Sequence, residues 1–82
     1  MPVGKNNDKR PEPGEHVILT QVPLGLTDGL RMEDQRAIYA AVGKKALLNS
    51  YDDSGRAELE FRDKHGVVHY IYVSPEAIKS AN

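Results

Sequence analysis

Between Ala57 and Arg62 apolar and charged residues alternate without a break, with Ala57, Leu59 and Phe61 in one set and Glu58, Glu60 and Arg62 in the other. Successive side chains of a strand point to opposite faces, so this run describes a strand with one face in a core and the other solvated and charged. Clusters of turn residues bracket it, Asp52-Asp53-Ser54-Gly55 before and Asp63-Lys64-His65-Gly66 after. Such clusters predict tight connections, hence hairpins on both sides. Lys44 to Tyr51 is then the strand entering the first turn, and the β-prone run Val67 to Val73 (VVHYIYV) the strand leaving the second.

Upstream, His16 to Val22 is apolar and β-branched and is stopped by Pro23, which predicts a first strand. Leu24 to Leu30 (LGLTDGL), with two Gly and an Asp, reads as a loop. Ala37, Ile38, Ala41 and Val42 then fall at helical spacing behind the acidic pair Glu33 and Asp34, and Gly43 can terminate the helix, so a short helix over about 33–42 is expected. Downstream, Ser74-Pro75 places a capping hydroxyl before a proline and predicts a single helical turn, with at most two or three strand residues after Ile78. The first fifteen residues (MPVGKNNDKRPEPGE) carry almost nothing to bury, so 1–15 is expected to be a disordered tail and 16–82 the folded domain.

Strands this short, in a chain of 82 residues, are too few for two packed sheets. The expected fold is mainly β: a small, partly open SH3-like barrel of four to five antiparallel strands, with one short α-helix in the loop after the first strand. The runs Val42-Gly43-Lys44, Tyr51-Asp52-Asp53, Ala57-Glu58-Leu59-Glu60-Phe61 and His69-Tyr70-Ile71-Tyr72-Val73, with Gly55, Asp63 and Gly66, are similar to small uncharacterised bacterial proteins with an SH3-like core. That resemblance spans about residues 34–78 and implies an architecture without an activity. A second resemblance, to the plasmid-encoded type II dihydrofolate reductases, rests on Tyr70-Ile71-Tyr72 before a proline-containing turn. Ile71 and Tyr72 match the ligand-contacting Gln-Ile-Tyr of that family, and Tyr70 stands where it has Gln. This likeness implies a homo-oligomeric, NADPH-dependent reductase with a shared pore.

Charge narrows the partners. Eleven Lys and Arg stand against twelve Asp and Glu, a formal charge of −1, which argues against nucleic acid or an anionic membrane as partner. The apolar runs are far too short to span a membrane, and the expected location is cytoplasmic. Without Cys there is no disulfide, thiolate zinc site or Cys nucleophile.

Few residues carry chemistry. His16, His65 and His69 are the imidazoles, and His69 is expected to pair with a cross-strand Glu. Asp52, Asp53, Glu58, Glu60 and Asp63 lack calcium-loop spacing and read as a solvated face partnered by Arg56, Arg62 and Lys64. Gly43-Lys44-Lys45 is not a phosphate loop, since Ile38 and Lys45 occupy the positions where Gly and a hydroxyl residue are needed. No catalytic residue, metal or cofactor is expected. Tyr70 and Tyr72 lie two apart and share a side of their strand, where their rings could form a platform. Leu24, Leu26, Leu30 and Met32 either fold onto the core or form an apolar patch. The expected function is a non-enzymatic binding or protein-interaction module that meets a protein partner or another copy through His69, Tyr70, Tyr72, Leu26 and Leu30. The alternative is the homo-oligomeric reductase.

Overall fold

The computed structural model describes residues 10–81. Five antiparallel strands form one open sheet: β1 (His16–Leu19), β2 (Lys45–Tyr51), β3 (Ala57–Arg62), β4 (Val68–Val73) and β5 (Ile78–Ser80), in the spatial order β4-β3-β2-β1-β5. One helix, α1 (Met32–Ala41), lies in the excursion between β1 and β2, and a 3₁₀ turn (Pro75–Ala77) precedes β5.

The two meander turns use the same chemistry. Asp52 N–H donates to the Arg56 carbonyl (2.8 Å) and Gly55 N–H to the Asp52 carbonyl (2.9 Å); Asp63, Val67 and Gly66 repeat both bonds at 2.9 Å. In each turn a single Asp oxygen, Oδ1, accepts two backbone N–H groups, from Ser54 and Arg56 in the first and from His65 and Val67 in the second. Gly55 and Gly66 sit at φ +84° and +81°, the left-handed geometry that lets a three-residue loop match the twist of its strands.

The alternation over 57–62 emerges as expected. Ala57, Leu59 and Phe61 are buried with Val17, Leu19, Ala46, Leu48, Ile71, Val73 and Ile78, while Arg62 faces out with Glu58 and Glu60 partly covered. α1 closes this face with Ala37, Ile38 and Ala41. Small alanines on the helix allow close approach, and no polar side chain is fully buried in the core among the described residues. Val42 leaves the helix in extended conformation and Gly43 follows at φ +87°, its N–H bonding the Leu19 carbonyl at 2.8 Å.

β1 is shorter than expected. It ends at Leu19: the Thr20 N–H makes one further bond in the β5 register, to the Ala77 carbonyl (2.7 Å), and the chain then enters three successive turns closed by Leu26, Asp28 and Leu30 N–H groups. The capped turn after Ser74 is present, with Ser74 Oγ accepting from Glu76 N–H at 3.3 Å, and β5 has three residues. The part of the expected tail in residues 1–9 lies outside the described residues. Arg10 to Glu15 run beside β2: Gly14 N–H donates to the Leu48 carbonyl (2.8 Å), Leu48 N–H to the Glu15 carbonyl (2.9 Å), and Tyr51 Oη–H to the Pro11 carbonyl (2.7 Å). Arg10 caps the Tyr51 ring, 4.5 Å from its centroid.

Candidate functional site

β4 is an edge strand, and its alternation separates two chemistries. Its register pairs Phe61 with His69, Leu59 with Ile71 and Ala57 with Val73 on the core face. Glu60 with Tyr70 and Glu58 with Tyr72 lie on the outer face, where the tyrosines are 59% and 44% exposed. Because Asp63 N–H bonds the Val67 carbonyl, the antiparallel alternation directs the backbone groups of His69, Ile71 and Val73 toward β3. The N–H and C=O groups of Val68, Tyr70 and Tyr72 therefore point out of the sheet, along an edge that pairs with no other strand among the described residues.

The outer face is polar and ordered. A register shift in β2 between Leu48 and Ser50 places Asn49 over β3, where its Nδ2 donates to both Glu58 Oε2 (3.3 Å) and Glu60 Oε1 (3.2 Å). Two carboxylates on one face repel, and a shared amide donor relieves them. Tyr72 Oη–H donates to Glu58 Oε1 at 3.3 Å, and the Arg56 guanidinium stands 5.4 Å from the Tyr72 ring centroid. Arg56 also pairs with Asp52 at 2.9 Å, and the backbone N–H of Arg56 first, then this side-chain pair, hold the Asp52 carboxyl below its usual range against desolvation.

On the other face His69 is enclosed. Its ring stacks on Phe61, Nε2 lies 2.8 Å from Asp63 Oδ2, and Nδ1 lies 3.9 Å from Asp34 Oδ1 at the start of α1. A carboxylate only accepts, so Nε2 carries the proton in the short contact. That bond, with the N–H groups of Val67 and His65, lowers the Asp63 carboxyl to about 2 against burial. The expected cross-strand Glu is not the partner of His69: Glu58 and Glu60 project from the opposite face, and the Asp of the adjoining turn reaches the imidazole instead. A small groove of about 370 Å³ opens here, lined by Asp34, Asp63, His65, Val67 and His69 with Arg31 and Glu33, and it holds no hydroxyl or thiol side chain. The imidazole stands beside two carboxylates, with no side-chain nucleophile in the groove.

The other expected residues are dispersed. Leu26 packs against the core with Val22, while Leu30 and Met32 are exposed at 39% and 60% and Leu24 is fully exposed. Ile71 is buried and Tyr72 is outside, so the two residues shared with the reductase motif face opposite sides of β4. His16 and His65 are exposed, and no group of three His, Asp or Glu side chains is arranged to hold a metal among the described residues. Of the expected partners of the acidic face, Arg62 donates instead to the Gly66 carbonyl (2.9 Å) and Lys64 makes no ion pair among the described residues. Sequence reasoning missed Asn49 and Asp34. A bulge position leaves no pattern in a β-prone run, and no spacing links residue 34 to residue 69.

Compared with family models, curated proteins and solved structures, the chain matches none of them. Among the described residues no helix is long and apolar enough to cross a membrane.

Proposed function

We propose that this protein is a non-enzymatic interaction module that takes a partner chain, or a second copy, as an added strand along β4. The observation that carries it is the open edge of β4, which offers the outward backbone groups of Val68, Tyr70 and Tyr72 beside two exposed tyrosine rings. Backbone bonds along such an edge give affinity, and the two rings, that of Tyr72 anchored by Glu58 and Arg56, give large contact area at small entropic cost. The SH3-like reading of the architecture belongs to this proposal: the order β4-β3-β2-β1-β5, with a single helical turn before β5, is the feature that supports it.

The test is selection of binders from a displayed library of random extended peptides, with sedimentation equilibrium of the protein alone as the second-copy arm. Amide hydrogen exchange of the resulting complex or oligomer is expected to show new protection at Val68, Tyr70 and Tyr72. Absence of both binding and self-association, or protection confined to other residues, overturns the proposal.

A further inference from the structure

A larger groove, of about 540 Å³, lies between α1 and the β3–β4 turn, on the opposite side of β3 from the carboxylates of Glu58 and Glu60. Arg36, Lys44 and Lys64 line it from the helix and turns, against two carboxylates, Glu33 and Asp63, while Lys45 and Arg62 border it from the outward-facing sets of β2 and β3. Both carboxylates are already engaged: Glu33 pairs with Arg31 at 3.3 Å and Asp63 with His69 at 2.8 Å. Arg36, Lys44, Lys45 and Lys64 make no ion pair among the described residues, so the groove keeps its positive charge in a chain whose formal total is −1.

The floor is apolar. Ala37, Ala40 and Ala41 follow Glu33 at helical spacing and present methyl groups opposite the Phe61 ring. Cations around an apolar floor fit a ligand with both anionic and apolar groups.

Length selects among such ligands. The groove's volume of about 540 Å³ has room for only a few residues of a chain, so a short segment fits it where a long polyanion does not. From the unpaired cations, the alanine floor and the small volume, we infer that the groove binds a short acidic peptide segment of a partner protein, its carboxylates on Arg36, Lys44 and Lys64 and one aliphatic side chain on Ala40 and Ala41. The site is separate from the β4 edge and stands or falls independently of it.

The probe is a fluorescein-labelled peptide, Asp-Glu-Leu-Asp-Leu-Glu, with its Asn/Gln counterpart as neutral control, titrated into the full chain by anisotropy at two salt concentrations. The acidic peptide is expected to bind, to weaken at least tenfold from low to high salt, and to exceed the neutral peptide by a similar factor. In amide shift mapping on the wild-type protein, shifts are expected over 36–45 and 62–65 and not at Tyr70 and Tyr72. Charge reversal at Arg36→Glu with Lys44→Glu is expected to abolish binding, and Ala40→Phe, which fills the floor without changing charge, to reduce it; Lys79→Glu, on the far edge strand β5, serves as a distant control. No binding, binding without salt dependence, or shifts elsewhere overturns the inference, and so does tighter binding of a six-nucleotide oligomer at the same residues.

Discussion

The imidazole of His69 lies on the ring of Phe61, the centroids 5.2 Å apart and the planes 18° from parallel, and the two residues are direct cross-strand partners. The stack fixes the imidazole plane, and with it the directions of Nε2 toward Asp63 and Nδ1 toward Asp34. An edge strand, a turn and the first turn of the helix are thereby joined at one side chain.

Acid stability follows from that junction. Asp63 is held at about 2, below its ordinary 3.8, so its charged form favours the folded state. This contribution is complete above about pH 4 and is lost as pH falls from there toward 2. Asp63→Asn keeps an oxygen for the turn N–H groups and removes the charge. Its stability, followed by urea denaturation at several pH values, is expected to fall less steeply than wild type between pH 4 and 2; parallel curves would refute the assignment.

At the second meander turn, Gly66 has φ +81° and nothing within 4 Å of an added Cβ, so backbone strain alone sets the cost of a side chain. Gly66→Ala is expected to lose about 1–2 kcal/mol. Gly66→Asn, whose side chain tolerates this region, is expected to lose less. Equal losses in chemical denaturation would show that something besides φ governs the site.

The apolar excursion divides by burial. Leu26→Asp is expected to lower the Tm, since Leu26 packs against the core, whereas Leu24→Asp leaves it within measurement error. Leu59→Ala, at a fully buried position, is expected to cost about 2–5 kcal/mol and provides the scale. A Leu24→Asp loss near that of Leu26→Asp would contradict the placement of the loop.

Tyr51 secures the segment before β1. Tyr51→Phe removes the hydrogen bond to the Pro11 carbonyl and is expected to cost about 0.5–1.5 kcal/mol in thermal or chemical melts. Burial raises the Tyr51 hydroxyl above its usual 10, so in a spectrophotometric alkaline titration the Tyr51→Phe variant should lack a late-titrating component. Loss of an early-titrating component in its place would put Tyr51 in solvent.

Much of this fold is legible from local pattern. The alternation at 57–62, the two Asp-to-Gly turns, the helix ending before Gly43 and the Ser74 cap each follow from residues within a few positions of one another, where chain geometry dictates the outcome. That Tyr70 and Tyr72 share the outer face follows from the same period of two. The His69 environment does not, because Asp34 reaches it only after the helix has docked. The same holds for the basic groove: Arg36, Lys44 and Lys64 are separated in the chain, and an overall charge near zero conceals their convergence. Leu26 and Leu24, alike in composition and two residues apart, differ in burial because of turns that their own side chains do not specify.

The pairing of β1 with β5 sets an order in time. β2, β3 and β4 join residues close in sequence, whereas Val17 and Ser80 meet across roughly sixty intervening residues in a ladder of only three pairs. Closing so long a loop costs more entropy than closing a tight turn, and few bonds offset it. The hairpins can thus assemble before the seam between β1 and β5, and that seam is the first place to open: amide exchange should be fastest in β5 and slowest in β3, leaving the three-strand meander as the slow-exchanging nucleus of the molecule.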